Sequence, residues 1–297
     1  MDKRIQSRFI DVLGSKIHYL DAGEGDSAVL FLHGMPTSSF LWRNIVPPFI
    51  PYARCLAPDL IGMGQSDKPN IHFGIDNHIE YIDGFIQALN LDNITLVMHG
   101  WGSIIGFDYA RRFPGKISGM AFFESHVRPS SDWNTLSLPV QQFASYFKNS
   151  STYDAISVEN ELIKIFMPQA ILGELSTEVM NTYQQAFSTP YERRVFEHYL
   201  QEVPLGNKQS PANEVIANYT SFIINSPVPK LMMYAFPGYM TTMETVQWCK
   251  DTINHVTLAD LGEGMHFIQE SNPDKFSHTL FNWYDEKVMK TMDAVER

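Results

Sequence analysis

The stretch Ile94–Ser103, ITLVMHGWGS, followed by IIGFDYARRF at 104–113, changes character twice over a short distance. Ile94–Met98 is a continuous apolar run without alternation, as expected of a strand buried on both faces. It stops at His99-Gly100-Trp101-Gly102, a glycine-rich turn, and the residues beyond carry helical spacing. Strand, tight turn and helix in that order predict one unit of a parallel sheet with its turn at the carboxyl end of the strand.

Working outward, the same grammar recurs. Ala28–Leu32 (AVLFL) ends at His33-Gly34, Arg54–Pro58 runs into the glycine-rich DLIGMGQSD, and Met120–Phe123 ends on Glu124. Beyond the middle of the chain, PKLMMYA at 229–235 precedes Pro237-Gly238, and Val256–Leu261 precedes Gly262-Glu263-Gly264-Met265-His266. These repeated units predict a mostly parallel sheet covered by helices on both faces, with ligands held beyond the carboxyl ends of its strands. Between them, from His126 to Pro211, apolar residues recur every three or four positions, as in VQQFASYF, ENELIKIF and EVMNTYQQAF. The expected organisation is a core domain of residues 1–125 and 212–297 with a helical cap, or lid, over 126–211.

Composition excludes several classes. A chain of 297 residues that is 44% hydrophobic can bury a deep core in one large domain with an insertion. Its net charge of −11 repels nucleic acid and anionic membranes, so neither is an expected partner. The opening MDKRIQSRFIDVLG has basic residues with no apolar segment behind them, which predicts no signal peptide. No run approaches the ~18 apolar residues of a membrane span. Cys55 and Cys249 are too few and too far apart to suggest a disulfide framework or a metal site, and the expected compartment is the reducing cytoplasm. The oligomeric state is not legible from these features.

HGMPTSSFLWR at 33–43, PDLIGMGQSDKP at 58–69, VMHGWGS at 97–103, FFES at 122–125 and GEGMHFIQESNPD at 262–274 stand in the order and approximate spacing of haloalkane dehalogenases. ENELIKIFMP, the stretch from Tyr191 to Pro204, and EVIANYTSFIINSPVPKLMMYAFPG extend the resemblance nearly end to end. The chain also resembles the coelenterazine luciferases of that family. The resemblance implies an α/β-hydrolase fold and a cofactor-free, metal-free site. It further implies an aspartate that displaces halide, a histidine that activates water on the ester so formed, an acidic residue that orients the histidine, and a tryptophan and often an asparagine that hold the halide. Carried over by position, the histidine is His266, the acid Glu124 and the tryptophan Trp101; the aspartate position holds Gly100 and the asparagine position Met35.

Glycine has no group with which to form an ester. Ser103 is expected to point away from the pocket and Asp108 to lie on another side of its helix, so neither replaces the nucleophile. The resemblance implies that the backbone N–H groups of Met35 and Trp101 form an anion hole, which needs neither lost side chain. His33 and His99 are expected to fix loops and Asp59 and Asp67 to organise turns; His126, two residues beyond Glu124, could face the pocket, but without a counterpart in the family it is expected rather to face solvent or pack under the lid. Phe143, Phe147, Phe166, Met167 and Phe187 are expected to be mostly helix core, a minority lining an apolar pocket. Three readings stay open: an enzyme that uses His266 as general base on a small apolar molecule, a binder or sensor of such a molecule, and a dehalogenase inactivated at Gly100. Joint departure at Gly100 and Met35 favours the first two, because inactivation alone gives no reason to change position 35.

Overall fold

The computed structural model describes residues 1–130, 132–149, 151, 154–206 and 209–290. Eight strands form one sheet in the order β1-β2-β4-β3-β5-β6-β7-β8. They are β1 Gln6–Val12, β2 Ser15–Ala22, β3 Ala28–Leu32, β4 Arg54–Pro58, β5 Ile94–Gly100, β6 Ile117–Ser125, β7 Lys230–Pro237 and β8 Val256–Gly264. From β4 to β8 every pairing is parallel, while β2 pairs antiparallel with both β1 and β4. The apolar runs at 28–32 and 94–98 are central strands buried on both faces, which is why they lack alternation.

Because β3 lies between β4 and β5, the chain leaves its carboxyl end toward opposite sides of the sheet. This is the topological switch point at which open α/β sheets bind ligands. Met35 follows β3 and Trp101 follows β5, so both stand at that crevice. Helices α1 Ile75–Ala88 and α2 Trp101–Arg112 cover the sheet, and α7 Pro211–Asn225 packs on α2 through the Phe107 and Tyr219 rings, 5.3 Å apart. Helices α8 Met243–Thr252, α9 Ile268–Ser271 and α10 Pro273–Trp283 complete the carboxyl-terminal part.

The segment between β6 and α7 carries α3 Leu138–Asn149, two wider π-type turns at Asp154–Val158 and Leu162–Phe166, the short α4 Met167–Gln169, α5 Thr177–Gln185 and α6 Arg194–Glu202. Two of the polar anchors that fasten it centre on carboxylates. The Tyr183 hydroxyl donates to Glu270 at 2.5 Å, and Arg43 grips the same carboxylate with two bonds of 2.6 and 2.7 Å. Glu202 accepts the Ile75 N–H at the start of α1 and pairs with His72, at 2.8 and 2.9 Å. Among the described residues no helix is long and apolar enough to cross a membrane.

Candidate active site

At the end of β5 the chain turns sharply into α2, and Gly100 takes φ +51°, ψ −122°, a conformation that costs glycine little and other residues more. A Cβ built on Gly100 would lie 3.5 Å from His266 Nε2 and 3.5 Å from the Gly34 Cα, so a side chain there would project at the imidazole. Gly34 meets a different requirement. A Cβ on it would stand 3.1 Å from the Trp101 nitrogen and 3.0 Å from the His99 carbonyl, so its lack of a side chain lets the loop carrying Met35 lie against the turn.

His266 follows β8, and its Nδ1–H donates to Glu124 Oε2 at 2.9 Å. With that nitrogen protonated, Nε2 presents its lone pair toward Gly100. Glu124 ends β6 in a left-handed conformation, φ +48°, and its carboxylate also receives three successive main-chain N–H groups, from Tyr239 (3.2 Å), Met240 (2.6 Å) and Thr241 (3.1 Å). Burial by itself would raise the Glu124 pKa. The His266 bond and the main-chain donors outweigh it and hold the carboxyl below its ordinary range. Glu124 is therefore a fixed negative charge behind the imidazole. His99 Nε2 and the His266 carbonyl are bonded at 2.9 Å, so His99 fixes the loop that carries His266. His33 accepts the Leu60 N–H at 3.0 Å, and Asp59 collects the N–H groups of Ser39 and Gln65 at 2.7 Å each, so these residues fix loops as expected.

Two placements differ from the expectations. Trp101 carries over as the tryptophan that holds the halide, but its Nε1–H donates to His78 Nδ1 at 2.8 Å, and the ring is buried behind the cavity wall, edge-on to Tyr199 at 5.2 Å. His78 can accept because burial pushes its pKa down to about 3, leaving it neutral with Nε2–H on the Ile61 carbonyl at 3.2 Å. His78 lies one turn into α1, far from Trp101 in sequence, and no local signal pairs them. His126, in turn, takes the less favoured of its placements and lines the cavity together with His266. It lies past the end of β6, where strand alternation no longer dictates direction.

That cavity, about 270 Å³, lies between the carboxyl ends of the strands and α3–α6. Met35, His266 and Phe267 form its floor beside Gly100, and Phe143, Phe166 and Met167 line it from above. Phe147 packs edge-on against Phe143 and at a tilt against Phe166, and Phe187 packs on Phe196, as ordinary helix core. Ser103 donates to the Gly100 carbonyl at 2.6 Å, and Asp108 is held by Arg111 and Arg112, so neither hydroxyl nor carboxylate replaces a nucleophile. Among the described residues no three His, Cys, Asp or Glu side chains converge as a metal would require.

A family model of the alpha/beta hydrolase fold matches residues 27–273. A haloalkane dehalogenase of Sphingobium indicum is 34% identical over 283 residues, covering 93% of this chain and 94% of the relative. One of Mesorhizobium japonicum is 31% identical over 283 residues, covering 94% and 91%. The crystal structure of the haloalkane dehalogenase DatA from Agrobacterium tumefaciens superposes with a TM-score of 0.89 at 30% identity, over 95% of this chain and 96% of that one. A loop variant of the dehalogenase DbeA from Bradyrhizobium elkanii superposes with a TM-score of 0.92 at 30% identity, over 99% and 100%.

Proposed function

We propose, for a chain that belongs to the haloalkane dehalogenase family of α/β-hydrolases, that it is an enzyme acting on a small apolar organic molecule by general-base chemistry, without an aspartyl ester. The observation that carries this reading is the His266–Glu124 pair at 2.9 Å, with Nε2 turned toward the space over Gly100. Nε2 takes a proton from water or from an acidic O–H or C–H of the substrate, Glu124 stabilises the imidazolium that forms, and the N–H groups of Met35 and Trp101 receive the developing oxyanion. When the attacking group is water, its oxygen bonds to an electrophilic carbon and its proton rests on Nε2 until the leaving group takes it.

Halide displacement finds less support. Gly100 supplies no nucleophile, Met35 no side-chain N–H, and the indole proton of Trp101 is committed to His78. Turnover of an apolar ester such as p-nitrophenyl butyrate, and halide release from bromobutane, test the reading on three proteins. We expect wild type to turn over the ester and release no halide, His266→Ala to lose at least about a hundredfold in kcat/KM on the ester, and Gly100→Asp to leave halide release negligible. Ester turnover indifferent to His266→Ala would overturn the general-base reading, and brisk halide release by Gly100→Asp would mark the chain as a dehalogenase lacking only its nucleophile.

A further inference from the structure

His126 has a main chain pinned at both ends. Its N–H donates to Ser103 Oγ at 3.0 Å, and its carbonyl accepts the Tyr219 hydroxyl. Ser103 in turn bonds the Gly100 carbonyl at 2.6 Å, so the turn below the reacting space and the backbone of His126 form one rigid unit. The imidazole itself faces the cavity, and its ring nitrogens have no hydrogen-bond partner among the described residues. Further along the same loop, Ser130 also lines the cavity, and its Oγ is buried without a partner. A polar atom withdrawn from water and left unpaired is costly, and a wall that sets the buried Ser130 hydroxyl near a half-buried, unpartnered imidazole suits a ligand that supplies the bonds.

Charge narrows the ligand further. Arg128, in the same wall, is paired with Glu244 at 2.9 Å and lies over the Trp248 ring at 5.0 Å, while Glu124 is enclosed by His266 and three amides. An ionic ligand would find its counter-charge already engaged. Burial, together with the nearby His266, lowers the His126 pKa to about 4, so the ring is neutral at physiological pH, with one nitrogen to donate and one to accept. The opposite wall, with Phe143, Leu162, Phe166 and Met167, is apolar. A volume of about 270 Å³ accommodates on the order of a dozen non-hydrogen atoms.

We propose that His126, with the Ser130 hydroxyl on the same loop, is the polar subsite of this cavity, and that its ligand is an apolar body bearing one uncharged hydrogen-bonding group, a carbonyl or hydroxyl. The proposal rests on the reading that this cavity takes the substrate, and it assigns a polar contact of the substrate other than His266.

Two probes of nearly equal shape separate these claims: benzylacetone, which carries the carbonyl, and isopentylbenzene, which carries a methyl branch in its place. Binding of each is measured by ligand-dependent thermal stabilisation in wild type, His126→Leu, His126→Gln and Ser130→Ala, all in a His266→Ala background so that turnover plays no part. We expect His126→Leu to weaken benzylacetone about three- to tenfold while isopentylbenzene binds as before or tighter, and His126→Gln to retain most of the benzylacetone affinity. Ser130→Ala should produce a smaller loss confined to the ketone, and it keeps the test open should His126→Leu fold poorly. If both probes weaken equally or neither changes, the imidazole is only a wall and the subsite is refuted while the function proposed above stands. Should the His126-intact protein bind neither probe, that function falls together with the subsite.

Discussion

Gly100 occupies a backbone conformation that a tight strand-to-helix turn imposes, φ +51° and ψ −122°, and it does so without the strain that a side chain would bring there. Space is not the obstacle, because the nearest atoms to an added Cβ lie at ordinary contact distance, 3.5 Å. Gly100→Ala should therefore lower stability by about 1–2 kcal/mol through backbone strain alone. The measurement is the urea midpoint, which falls while the denaturant slope stays constant. An unchanged midpoint would mean that this turn relaxes freely and that glycine confers no stability here. His78 teaches a second lesson at the same scale. A neutral, buried imidazole consumes the only polar side-chain atom of Trp101, so the indole is not available as an anion ligand and only the main-chain N–H of that residue remains to serve as one.

At the scale of elements, the segment between β6 and α7 is held to the sheet domain by polar bonds at several points, and Glu202 makes two of them. Helix α1 begins after Gly74 with no side-chain cap of its own, and the Glu202 carboxylate, arriving from the end of α6, accepts the Ile75 N–H and pairs with His72. A carboxylate at a helix N-terminus also meets the positive end of the helix dipole. Glu202→Ala should cost about 1–3 kcal/mol and speed amide hydrogen exchange in α6 and the first turn of α1, leaving β5 and β6 protected. Uniform exchange across all elements would show that this segment opens only with global unfolding. The central strands were legible because burial on both faces writes a continuous apolar run: Ala28–Leu32 and Arg54–Pro58 coincide with β3 and β4. The β1–β2 hairpin left no such signature, since most of β1 is solvent-exposed and its pairing depends on β4. The His266–Glu124 pair was legible as two strand-end positions. The roles of His78 and His126 were not, because each depends on a tertiary neighbour rather than on local pattern.

For the molecule as a whole, the histidines buried as neutral groups set the response to acid. Burial lowers the pKa of His78 to about 3 and of His126 to about 4, and those of His33 and His99 in the same direction, against an ordinary value of 6.5. Below pH 6.5 the unfolded chain takes up these protons while the folded chain refuses them, so the unfolded state is favoured as pH falls, until each folded pKa is reached. Each such group costs up to about 1.4 kcal/mol per pH unit in that window. His126 opens onto the cavity and is only partly buried, so its share is smaller. Glu124 acts in the same sense at lower pH: its depressed pKa contributes stability that is complete above its ordinary 4.5 and lost as pH falls through the folded value. Between pH 7 and pH 5 only the imidazoles act, a fully buried one such as His78 removing up to about 2 kcal/mol, read as a falling urea midpoint with net proton uptake on unfolding. A midpoint that stays flat over that range would mean the imidazoles titrate freely in the folded protein. In that case His78 could not remain the acceptor that holds the indole of Trp101, and the tryptophan would be free to bind an anion after all.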